Sequence, residues 1–141
     1  VSVPRGLVLD ANILVRAVFG VRVPHLLRRY GDACPFYSPE VCFAEALKNI
    51  PAIAQRRRHS LSKALTLLEE AYPLISPVAK DEYQQYEAAA RPRIETRDPD
   101  DWPIVATALL LNLPIWTEDY DFFGAGVATW TTDRVEIYLG G

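Results

Sequence analysis

The residues in this chain best suited to chemistry are acids at the borders of apolar runs. Asp10 follows Leu7 to Leu9. Glu118, Asp119 and Asp121 follow Leu113 to Trp116, and Asp98, Asp100 and Asp101 stand before the run Ile104 to Leu113. Short apolar runs bounded by turn-forming residues read as buried strands, and the longer one reads as a helix. In open α/β sheets ligands are bound beyond the carboxyl ends of parallel strands. Acids from distant parts of the chain are therefore expected to converge there. A set drawn from Asp10, Glu45, Asp101 and Asp119 supplies four carboxylates, each from a different strand end or helix. Hard cations such as Mg²⁺ or Mn²⁺ take such oxygens. Without a cation these acids would repel one another, so at least one should have a raised pKa.

Each acid also has an ordinary structural reading. Asp98 before Pro99 is a helix-start signal, and Asp100 suits a solvated first turn favoured by the helix dipole. Asp101 is the better ligand of that cluster because it leads into Ile104, Val105 and Ala108 on the core-facing side. Asp10 or Asn12 can cap the first helix, but a cap alone does not explain a carboxylate at the rim of a buried strand. Glu45 could pair with Lys48 or Asn49 on an exposed face. Asp119 and Asp121 both compete for the second strand end.

The elements that must carry these residues alternate. Gly6 to Leu9 predicts a strand, and Ile13, Leu14, Ala17 and Val18 predict a helix stopped by Gly20. Pro24 to Tyr30 predicts an amphipathic helix with Arg28 and Arg29 in solvent, and Cys34 to Tyr37 a strand. Ser38-Pro39-Glu40 opens a helix to about Ile50, with Val41, Ala44, Glu45 and Lys48 along one side and Pro51 as its breaker. A helix beginning at Ser60 or Ser62 should bury Leu61, Ala64, Leu65 and Leu68. Pro73 to Val78 reads as a strand, and Ala79 to Ala90 as a polar helix ended near Pro92. A helix starting near Asp101 then precedes the strand Leu113 to Trp116, with terminal strands at Val127 to Thr131 and Val135 to Leu139. This alternation predicts a three-layer α/β/α domain with a mostly parallel central sheet, one domain over residues 1–141.

Composition agrees with that plan. The chain has 141 residues, half of them hydrophobic and 23% charged, enough for one continuous core. Its longest apolar run is interrupted by Thr107 and Asn112 and falls short of a membrane span. The first residues lack a signal-peptide layout, so the cytoplasm is the expected location. Cys34 and Cys42 read as reduced and half-buried, and two histidines leave little for a zinc site or a serine triad. A net charge of −3 is not the basic excess of a nucleic-acid binder. The charge is unevenly distributed, however, with basic clusters at Arg28-Arg29 and Arg56-Arg57-Arg58-His59. The second cluster reads first as a solvated face and second as a contact for an RNA backbone. Trp102, Trp116 and Trp130 read as packing residues before base-stacking platforms.

Four stretches, LVLDANIL, SPEVCFAEAL, RDPDDWPIVATAL and IWTEDYDFF, occur in this order over nearly the whole chain. Together they resemble the PIN-domain family of metal-dependent ribonucleases, and the last resembles one subgroup of it. The resemblance implies a PIN-like fold with Asp10 as the central metal ligand, completed by Glu45 and Asp101 directly or through water. It implies that Asp119 holds a second Mg²⁺ or Mn²⁺ or orients the attacking water, with Thr117 and Asp121 in support and Asn12 steadying Asp10. The implied activity is endonucleolytic cleavage of RNA. Many members of the family are toxins neutralised by a small antitoxin protein, and homodimers are common among them. Two rivals stand beside this reading. One is a catalytically silent PIN-like module that binds RNA or protein; the other is an α/β phosphotransfer protein, whose Asp-x-Asp signature is not met by Asp10-Ala11-Asn12.

Overall fold

The computed structural model describes residues 6–95 and 97–140. Strands β1 (Leu7–Leu9), β2 (Phe36–Pro39), β3 (Ile75–Val78), β4 (Ile115–Trp116) and β5 (Thr129–Trp130) form one sheet in the order β3-β2-β1-β4-β5. Every pairing is parallel, so the sheet is wholly rather than mostly parallel. Helices α1 (Ala11–Phe19), α2 (Arg22–Tyr30), α3 (Glu40–Arg56), α4 (Leu61–Ala71), α5 (Lys80–Tyr83), α6 (Glu87–Ile94), α7 (Trp102–Leu111) and α8 (Val135–Gly140) connect and flank it. The central strand β1 is buried at all three positions. A parallel strand covered on both faces needs a continuous apolar run such as Leu-Val-Leu.

Chain order reverses direction at β1: β2 and β3 lie to one side and β4 and β5 to the other. A switch point of this kind leaves a crevice beyond the strand ends. The register pairs Leu9 with Trp116, which brings the residues after them, Asp10 and Thr117, side by side. Trp116 is fully buried against Phe36, with ring centroids 6.1 Å apart, and its indole N–H donates to Thr132 Oγ1 at 3.0 Å. Trp102 is also core, packed edge-on to Tyr83 with the Arg91 guanidinium 5.0 Å above it. Neither indole is open to a nucleobase.

Several local expectations are corrected. Helix α3 runs through Pro51 to Arg56 because its buried stripe of Cys42, Ala46, Ile50 and Ala54, at four-residue steps, spans the proline. Packing on that scale outweighs the roughly 3 kcal/mol an interior proline costs. Val41, Ala44, Glu45 and Lys48 share its exposed side. Pro92 likewise sits inside α6, bracketed by buried Ala90 and Ile94. The polar run before it divides into α5, a 3₁₀ turn at Gln84–Tyr86 and α6. In α4 only Ala64 and Ala71 are buried, while Leu61 and Leu65 are exposed.

Val135 to Leu139, read above as a strand, is helix α8. Val135 and Leu139 are buried one turn apart, and Glu136 accepts from Arg22 at 2.7 Å and from the Tyr30 hydroxyl at 2.6 Å. Those partners on α2 fix a helical rather than an extended segment. Cys34 and Cys42 form no disulfide and are buried rather than half-buried. Among the described residues no helix is long and apolar enough to cross a membrane.

Candidate active site

Asp10 leaves β1 with an extended backbone and caps α1, accepting from the Ile13 amide at 2.9 Å through Oδ1. Its Oδ2 accepts from the Thr117 hydroxyl. With the side of β1 closed by its neighbours, Asp10 is only 4% exposed. Burial raises its pKa to about 6. The Thr117 and Ile13 bonds pull the other way, and the negative charges of Asp119 and Glu118 add to the rise. Among the described residues the hydrogen bonds to this carboxylate come from the Thr117 hydroxyl and the Ile13 amide, and none from Asn12.

Thr117 is fully buried at the end of β4 and is the hub of the arrangement. Besides donating to Asp10, its oxygen accepts from the Asp119 amide at 2.9 Å. One hydroxyl thus couples the ends of two neighbouring strands. Asp119 in turn accepts from the Asp121 amide at 2.9 Å, opening the 3₁₀ turn Tyr120–Phe122. The loop beyond is held from outside: Arg97 donates to the carbonyls of Tyr120 and Phe123 at 3.0 Å, and Arg93 to that of Ala125 at 3.0 Å. Gly124 and Gly126 have φ of +89° and +79°, conformations that L side chains rarely adopt.

At the entrance to α7, Asp98 caps the 3₁₀ turn Pro99–Asp101 by accepting from the Asp100 amide at 3.2 Å. Pro99 and Pro103 fit here because first-turn amides have no helical partner in any case. The turn presents Asp101, whose pKa is raised to about 7 by burial first and then by Asp98, Asp119 and Asp10. Crowding of acids therefore raises this group as expected, although burial is the larger cause.

Asp10, Asn12, Glu45, Asp101 and Asp119 line one cavity together with Ala11, Asp98, Ile104 and Glu118. Among the described residues neither lysine nor arginine lines it. Beneath it lies Cys42, whose thiol is pushed up to about 12 by burial, with Asp10, Glu45 and Asp101 adding to the rise. At neutral pH that sulfur stays protonated and is no nucleophile. Asp100 lies outside the cavity, in a neighbouring groove with Lys80 and Trp102. Asp121 is not among the lining residues; it contributes its amide to Asp119.

Two lining acids had no chemical role in the sequence reading. Asp98 was read only as a cap, and a cap can still turn its other oxygen to a neighbour. Glu118 accepts from the Thr132 amide at 2.7 Å, a contact that depends on the chain returning through β5. The donor set fits a hard divalent ion chemically, since it is all carboxylate. Among the described residues, however, no three His, Cys, Asp or Glu side chains are already arranged to hold a metal ion.

Fold and cavity together define an α/β domain with a carboxylate-lined crevice at the switch point of a parallel sheet. The sequence matches the family model of the PIN domain over residues 8–140, and the chain belongs to that family. It has no match among curated proteins. Solved structures share the fold at low identity. VapBC2 from Rickettsia felis bound to a DNA fragment from their promoter superposes with a TM-score of 0.69 at 13% identity, over 89% of this chain and 98% of that one. A toxin-antitoxin complex from Klebsiella pneumoniae gives 0.61 at 16%, over 89% and 97%. FitAcB from Neisseria gonorrhoeae gives 0.57 at 22%, over 89% and 97%.

Proposed function

We propose that the chain is an endoribonuclease that hydrolyses RNA phosphodiester bonds with Mg²⁺ or Mn²⁺ held by Asp10, Glu45, Asp101 and Asp119. The observation that carries this reading is the lining of one cavity by carboxylates from both strand ends, α3 and the entrance of α7, with no cationic side chain lining it among the described residues. A bound divalent ion would activate water at neutral pH and offset the charge of the phosphate. The protein's own part is to fix the oxygens. Thr117 holds the Asp10 carboxylate in one orientation and ties it to the Asp119 backbone. Such supporting bonds commonly set ligand affinity by about 10- to 100-fold. Asp10 and Asp101, raised to about 6 and about 7, give up protons when a cation arrives.

The Klebsiella pneumoniae structure is a toxin–antitoxin complex, and on that likeness we assign this chain the toxin role with a small antitoxin protein as partner; the homodimer and the cytoplasmic location rest on the family resemblance alone. A silent RNA- or protein-binding module is the second reading. It is favoured by the lack, among the described residues, of a ready-made group of three ligands. One assay separates them. Purified protein with single-stranded RNA and Mn²⁺ should cleave, EDTA should stop it, and Asp10→Asn or Asp119→Asn should lower the rate at least 100-fold. Intact RNA under all conditions, with the RNA still bound, would leave the silent module.

A further inference from the structure

We propose that the groove between α1 and α3 is the path along which an RNA strand leaves the acidic cavity, and that Arg56 and Arg57 at its far end take phosphates of that strand. The choice of RNA as occupant rests on the function proposed above. The groove is lined by Ala11, Asn12, Val15, Glu45, Asn49 and Ile53. Ala11, Asn12 and Glu45 also line the acidic cavity, so the two are continuous.

Residue numbers rise together along both walls, which means the groove follows the two helices toward their last turns. There the walls meet a cationic end. The Arg57 guanidinium lies 5.7 Å over the Phe19 ring, and His59 packs edge-on to the same ring at 5.3 Å. None of Arg56, Arg57 and Arg58 forms an ion pair among the described residues. In a chain of net charge −3, a run of unpaired guanidinium groups at one end of a groove has anion binding as its natural chemistry.

The backbone at this end points the same way. The Arg58 amide donates to Gln55 at 3.2 Å and the His59 amide to Ala54 at 2.8 Å, a Schellman-type helix end with Arg58 at φ +53°. Glycine is the usual occupant of that position, and a side chain there costs about 1 kcal/mol. A single basic residue in the last turn would already complement the helix dipole. The arginine run exceeds that need.

From Glu45 to Arg57 is about 18 Å at about 1.5 Å per residue. That is roughly five stacked nucleotides at about 3.4 Å each. The middle of the path is lined by neutral side chains, Asn49, Val15 and Ile53, which suit sugars and bases rather than phosphates.

The test compares wild type with Arg56→Gln/Arg57→Gln and with a charge-matched control, Arg28→Gln/Arg29→Gln on α2. Binding is read by fluorescence anisotropy in EDTA with an unstructured twelve-nucleotide RNA and with a trinucleotide; cleavage is read with Mn²⁺. The groove variant should bind the long RNA about tenfold more weakly. Its slope of log affinity against log salt should be shallower by about 1.4, the loss of two phosphate contacts. KM for the long RNA should rise with kcat retained, and the trinucleotide and the control should be unaffected. Equal long-RNA binding and salt slope in wild type and groove variant would overturn the proposal and leave the cluster to an acidic protein segment, and an equal loss in the control would overturn it as a general charge effect. If wild type binds without cutting and the groove variant still shows the shallower slope, the path stands and the nuclease reading fails.

Discussion

At the scale of single residues, one buried hydroxyl, that of Thr117, governs one buried acid, Asp10. Thr117 stabilises the charged form of Asp10, which burial and two neighbouring acids oppose. Removing the hydroxyl in Thr117→Val should push the Asp10 pKa further above about 6. The acid limb of the pH–rate profile should move to higher pH, and kcat/KM at pH 7 should fall by about tenfold. Thr117→Ser should restore both, because the donor returns; a valine variant with an unshifted limb would detach Thr117 from the site. That Asp10, Glu45, Asp101 and Asp119 would face one cavity was legible in the sequence, because acids at the ends of parallel strands and at a helix entrance share the same edge of the sheet. The resemblance marks Thr117 as a supporting residue, but does not reveal that its hydroxyl bonds Asp10. Asp10 and Thr117 lie 107 positions apart, and only the register of β1 against β4 makes them neighbours.

Whole elements decide where Asp119 stands. Its loop is held by Arg93 and Arg97 from α6 and the segment after it, through carbonyl oxygens and not through the acids. A Cβ on Gly126 would come within 2.1 Å of Arg93 Nη1, and φ there is +79°. The arginine head can move aside, but only by giving up its bond to Ala125. Gly126→Ala should therefore cost about 1–2 kcal/mol in chemical denaturation and weaken Mn²⁺-dependent cleavage, whereas Gly140→Ala, on the terminal helix, should change neither. Strand and helix order was readable from alternating apolar runs. What failed were features settled by tertiary partners: Pro51 and Pro92 inside helices whose buried stripes continue past them, the exposed Leu61 and Leu65, and α8, fixed by the pairing of Glu136 with Arg22 and Tyr30. Local propensity loses to packing in each case.

For the molecule as a whole, the clustered acids make stability depend on pH and on a cation. The folded pKa values of Asp10 and Asp101, about 6 and about 7, exceed the ordinary aspartate value of 3.8. Between those limits the folded state binds more protons than the unfolded one, so stability of the metal-free protein falls as pH rises from about 4 to about 7. A divalent ion that binds only the folded state reverses the loss, and it does so most where the acids are ionised. The same charges that weaken the empty fold would be the ones that hold the ion.

Thermal unfolding of wild type and Asp10→Asn, each with EDTA or with millimolar Mn²⁺ at pH 5 and pH 8, tests that claim most directly. The predicted result has three parts. Metal-free wild type melts lower at pH 8 than at pH 5; Mn²⁺ raises its Tm by several degrees at pH 8 and little at pH 5; Asp10→Asn matches or exceeds the metal-free wild-type Tm at pH 8 yet gains nothing from Mn²⁺. A wild-type Tm indifferent to Mn²⁺ at pH 8, or an equal rise in Asp10→Asn, would contradict the account.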